Sequence, residues 1–176
     1  MPVATSTLAS MSETRAIALL LVAFALMTGV LAYSGAPLVN DTSPLGIVSF
    51  QFAGTGANAA VMISTWDSAG QAAAWNNLIV DYPYLVIYGA LLVLLCRRAA
   101  RSGSAVPGRF CVHAAWAAAG FDAIENAALL AQLNAPANDP AAAIAFGCAS
   151  VKFALLAIVI TYLMVAAAAA GYRKLR

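Results

Sequence analysis

Asp81, His113, Asp122, Glu125 and Lys152 are ionisable residues set within long apolar stretches of the chain. A charge inside a membrane-length apolar run is costly, so each is a candidate for function. Asp122, Glu125 and Asn126 are spaced i, i+3, i+4 and share one helix face, which Ala115 and Ala119 continue. Small residues admit a close neighbouring backbone, so this stripe reads as the inward face, with its acids pointing into a bundle. At the helical rise, Glu125 lies roughly 12 Å inward from Leu133, and Lys152 roughly 12 Å inward from Ile144. The two sit at one level on consecutive antiparallel helices. Lys152 is therefore expected to neutralise Glu125 or Asp122.

Asp81, Asp122 and Glu125 together face one ammonium. Full ionisation would leave a surplus of two negative charges in a low-dielectric place. Either a carboxyl holds a proton, or a cation binds, or water enters from outside. The oxygen ligands of Asp81, Asp122, Glu125 and Asn126 favour a hard cation or a proton over zinc. A carboxylate pair also suits acid–base work on a lipid. Asp81 has two readings. In Asp81–Tyr82–Pro83 it caps a helix beginning at Tyr82, or it lies inside a longer helix kinked at Pro83. Tyr84 and Tyr88 follow at i, i+4 and either extend the polar stripe inward or pack at the interface. The candidate ligand-binding set is Asp81, Tyr84, Tyr88, Asp122, Glu125, Asn126 and Lys152. His113 is near the opposite end of its helix and reads as a satisfied or snorkelling side chain. Cys96, Cys111 and Cys148 form no C-x-x-C pair and read as small buried hydrophobes. Gly54 and Gly56 lack the rest of a phosphate-loop pattern and read as turn glycines. No catalytic residue, cofactor or metal is named by these patterns.

The elements that hold these groups follow from composition. The chain is 63% hydrophobic and 9% charged, against about 25% charged for soluble domains. Lipid must cover what polar residues cannot. No basic stripe with interleaved aromatics is present, which excludes nucleic acid as a partner. Four apolar stretches reach the roughly 20 residues needed to cross a bilayer. They run from about Ala16 to Tyr33, Ala72 to Cys96, Phe110 to Leu133 and Ala141 to Ala170. The expected fold is an all-α membrane protein: one membrane domain, a four-transmembrane-helix bundle, with a short amphipathic outer segment over about 34–71. The first stretch is longer than a signal-peptide core and is read as a retained helix.

Arg97, Arg98, Arg101 and Arg109 crowd the second connection. Arg173, Lys174 and Arg176 close the chain, and Arg15 precedes the first helix. Residues 34–71 and 134–140 contain no Lys or Arg. Basic residues stay cytoplasmic, so both termini and the middle loop are expected inside the cell (inner) membrane. In the outer segment, Val48, Phe50 and Phe52 alternate with Ser49 and Gln51 as in a strand. Ala59, Met62, Ile63, Trp66, Ala69 and Ala73 recur at helical spacing, as in a helix lying on the outer leaflet or capping the bundle. Trp66 and Trp75 suit the membrane interface, although packing within a small ectodomain accounts for them equally.

The strings Phe50–Gln51–Phe52–Ala53–Gly54–Thr55 and Gly120–Phe121–Asp122–Ala123–Ile124–Glu125–Asn126, with Trp66, Asp81 and Tyr88 between them, resemble a group of uncharacterised bacterial four-span membrane proteins. That resemblance implies the four-span fold and no activity. Three functions remain open from the residues. The cluster is an outward-facing ligand, proton or cation site for a small lipid-like molecule, or even a lipid-modifying centre. Alternatively, its charges are structural, in a membrane subunit or assembly factor that meets a partner membrane protein. Or the chain is a proton- or cation-coupled carrier working as a homo-oligomer.

Overall fold

Asp67 starts the helix that carries much of the site. Its Oδ1 accepts the Gly70 N–H at 2.7 Å, satisfying one of the donors that a helix start leaves free. The computed structural model describes residues 3–103 and 105–174. Arg176 of the basic C-terminus lies outside the described residues. The elements are α1 (Val3–Gly35), a 3-10 turn (Ala36–Leu38), α2 (Ile47–Gln51), α3 (Gly56–Thr65), α4 (Ser68–Ser102), α5 (Ala105–Asn134) and α6 (Asp139–Lys174). All regular structure among the described residues is helical.

Among the described residues, three helices are long and apolar enough to cross a membrane, over Ser12–Leu38, Ser68–Arg101 and Asp139–Arg173. α5 is of similar length but carries Asp122 and Glu125 in its middle. It packs most extensively against α4 and α6, while α1 packs chiefly on α4. Alanines make the α5 contacts close: Ala115 and Ala118 are fully buried, as is Ala149 on α6. On α1 and α6 large apolar side chains face outward, with Leu19 72% and Met164 68% exposed. Water would not tolerate apolar surfaces of this extent, and lipid would.

Several expectations are corrected. The alternation at Val48, Phe50 and Phe52 is not a strand but part of a turn into α2. Gly46, at φ 58°, turns the chain, and Phe50 and Gln51 point inward from a single helical turn. The run from Ala59 to Ala73 is not one helix. It breaks at Trp66, where extended backbone separates α3 from α4. Asp81 is not an N-cap, because α4 starts four turns earlier and carries Pro83 in its interior. Gly54 is a turn glycine at φ 74°, but Gly56 opens α3. A Cβ there would lie 2.7 Å from the Asn138 backbone, so only glycine lets α3 reach the α5–α6 connection. The Gly56 N–H donates to Asp139 Oδ1 at 2.8 Å and fixes that approach.

Of the two readings of Trp66, packing within the segment is the one found. Trp66 is 3% exposed, inside a cluster with Leu38, Phe50, Ala59, Leu78 and Leu129. Trp75, by contrast, is 43% exposed. The outer segment thus caps the bundle, with α3 against α5 and α6.

Candidate functional site

Asp122, Glu125 and Lys152 meet as their spacing predicts. Lys152 Nζ lies 2.8 Å from Asp122 Oδ1 and at 3.0 and 2.9 Å from the two oxygens of Glu125. All three residues are buried. The ammonium thus lies between the two carboxylates. Among the described residues no group of three or more His, Cys, Asp or Glu side chains is arranged to hold a metal ion. Tyr88, also buried, donates its phenol proton to Asp122 Oδ2 at 2.8 Å. Asp122 is thereby bonded on both oxygens.

Asp81 is held differently. Asn126 Nδ2 donates to its Oδ2 at 2.7 Å, linking α5 to α4. Asp81 is half-buried and lines a cleft of about 600 Å³. Tyr84, one turn further along α4, shares a hydrogen bond with Thr28 of α1 at 3.1 Å. Its ring stacks on Phe24 at 5.3 Å and meets Tyr88 edge-on at 5.7 Å. An aromatic wall therefore stands beside the Asp81 carboxylate.

The cleft lies between α1 and α6 and is floored by α4 and α5, with Ile47, Val48 and Gln51 of α2 at one end. On α4 it runs from Asn77 to Leu92, roughly 22 Å along the helix. Its walls are mostly apolar, and Leu21, Phe153 and Ile160 at its edges are about half exposed. Asp81, Asp122, Asn126 and Lys152 interrupt this apolar surface part-way along.

No family model, curated protein or solved structure matches this chain. The site must be argued from its own geometry.

That geometry divides the candidate set. Asp81, Tyr84, Tyr88, Asp122, Asn126 and Lys152 all line the cleft. Glu125 does not; it is fully buried behind Lys152. His113 is exposed and outside the cluster, while Cys96 and Cys111 are buried in a separate apolar cluster. Sequence reasoning overlooked Gln51, Asn77, Thr28 and Gln132. Gln51 is buried, lines the cleft, and its Oε1 makes no hydrogen bond within the protein. Asn77 donates to Leu31 O at 2.9 Å and Ser34 Oγ at 2.8 Å, tying α4 to α1. Gln132 is buried with neither amide atom bonded within the protein. Its signal was legible, since it stands seven residues beyond Glu125 on the same helix face.

Proposed function

We propose that this chain is a four-span protein of the cell (inner) membrane, with both termini cytoplasmic, and that its cleft binds an elongated amphiphile with a cationic head. The fourth span is α5, whose Asp122 and Glu125 are paired with Lys152 inside the bundle. The observation that carries the reading is Asp81: a carboxylate that no ammonium or guanidinium pairs with among the described residues, facing an apolar cleft. Lys152 is already engaged by Asp122 and Glu125, so it does not neutralise Asp81 on the cleft side as well. An ammonium head would supply a counter-charge to Asp81, and the Phe24–Tyr84–Tyr88 wall offers ring faces to such a cation. The apolar remainder of the cleft would take the chain of the ligand. Its half-exposed edges between α1 and α6 support entry sideways from lipid.

The test is thermal stability of purified protein in detergent with a long-chain alkylamine or the alcohol of equal chain length. A ligand that binds only the folded state raises the melting temperature. The amine is expected to stabilise the wild type more than the alcohol, and Asp81→Asn should abolish the difference. Equal responses to amine and alcohol, or an Asp81→Asn variant that still prefers the amine, would reject the cationic head.

One observation favours a second reading. The Lys152–Glu125 contact lies behind the cleft and is buried on both sides, as a purely structural ion pair would be. If every cluster charge is structural, the chain is a non-catalytic membrane subunit or assembly factor, and the amine response is absent.

The orientation has its own test. In a background with Cys96, Cys111 and Cys148 replaced by alanine, Ala137→Cys should react with a membrane-impermeant thiol reagent in right-side-out membrane vesicles. Gly103→Cys should react only after permeabilisation. The reverse pattern would invert the topology.

A further inference from the structure

A second cleft, of about 460 Å³, lies at the other end of the bundle from the outer cap. Leu94 and Val112 contribute apolar surface to it, and Arg97, Arg101 and Arg109 bring three guanidinium groups. The chain brings these together by a close approach of α4 and α5. A Cβ on Gly108 would stand 2.4 Å from Ala100 Cβ, so glycine alone permits the contact. Glu13 of α1 also lines the cleft and pairs with Arg101. No carboxylate pairs with Arg97 or Arg109 among the described residues. Arg97 lies about 8 Å from the end of α4, and Arg109 about 6 Å from the start of α5. In a spanning bundle this is the depth of lipid phosphates, with Leu94 and Val112 one turn deeper against the acyl chains.

A planar guanidinium matches phosphate oxygens with two parallel donors, which a general attraction of basic residues to the membrane does not require. We infer that Arg97, Arg101 and Arg109 form a binding site for the phosphate of an anionic phospholipid, seated between α4 and α5 at the basic end of the bundle. Glu13 holds Arg101 in place and leaves Arg97 and Arg109 to meet the headgroup. The inference rests on the membrane reading proposed above, but not on the amphiphile in the Asp81 cleft.

Native mass spectrometry of the full chain released from mixed micelles with equal phosphatidylglycerol and phosphatidylcholine tests it. The wild type should retain phosphatidylglycerol preferentially. If each guanidinium that meets the phosphate contributes about 1 kcal/mol, or about a fivefold preference, the Arg97→Gln/Arg109→Gln pair should lower the ratio roughly 25-fold. Arg98 is exposed and outside the cleft, so Arg98→Gln should leave most of the ratio intact. A loss with Arg98→Gln equal to that with Arg109→Gln alone would show diffuse surface charge and overturn the site. So would equal retention of the two lipids. Displacement by millimolar inorganic phosphate would identify a free-phosphate site instead, and overturn the lipid assignment. Each variant is first checked for an unchanged melting temperature in phosphatidylcholine micelles; if the double variant fails, Arg109→Gln alone carries the comparison. The alkylamine response at Asp81 should persist in these variants, which separates failure here from failure of the amphiphile reading.

Discussion

Lys152→Met is expected to destabilise the protein by about 3–5 kcal/mol, because it strands two buried carboxylates at once. Lys152 Nζ is the contact that Asp122 and Glu125 share, at 2.8 and 2.9 Å. Without it, Glu125 has no other ion-pair partner among the described residues, and Asp122 keeps only the Tyr88 phenol. Removing charge from the acids as well should restore stability. Lys152→Met/Glu125→Gln should lose less than Lys152→Met alone, and the triple variant with Asp122→Asn should come closest to wild type. The measurement is unfolding in mixed micelles, read as a double-mutant cycle. Strict additivity of the single changes would mean that the groups are not energetically coupled. Asp81→Asn makes the contrast. Its carboxylate accepts from Asn126, and an amide oxygen can also accept that bond. It should cost little stability while removing the ligand response.

The meeting of Lys152 with Asp122 and Glu125 was legible because two regular periodicities fix it. Helical rise sets depth, helical spacing sets the face, and a short connection forces α5 and α6 together. Asp81 was legible as a candidate, but not whether it caps a helix or lies inside one. An Asp two positions before a proline is locally both a good cap and an interior residue. The choice fell to Asp67, fourteen residues earlier, whose own cap lets α4 run through Pro83. Tyr84 and Tyr88 stayed open for the same reason, since their roles depend on which residues of α1 and α5 face them. The outer segment was least legible. Its pattern of Val48, Phe50 and Phe52 fits a strand, yet the short reach from Gly46 to Gly54 and the cavity under α2 make it a turn of helix. The cleft itself has no sequence signature, because it exists only where α1 packs on α4 and leaves α6 uncovered.

Trp66, for which the sequence left interface and packing equally open, is a packing residue, and its substitution should have an effect as large as that of Lys152. Its indole N–H donates to Leu38 O at 3.1 Å and to Ser43 Oγ at 3.2 Å, and Phe50 meets its ring edge-on at 5.4 Å. One side chain thus ties the start of α4 to the 3-10 turn and to α2. Trp66→Ala should cost about 3–5 kcal/mol, the usual range for emptying a large aromatic from a core. Trp66→Phe should cost only about 1 kcal/mol, since Leu38 O still accepts from Ser43 Oγ at 2.6 Å and most of the ring remains. Trp75→Ala serves as the control and should change stability little, because that ring is 43% exposed. The loss at Trp66 should appear first as faster hydrogen exchange across residues 38–66, and with it weaker retention of any ligand in the cleft, whose end α2 covers. If Trp66→Ala and Trp75→Ala behave alike, Trp66 is an interface residue after all and the cap is not held from within.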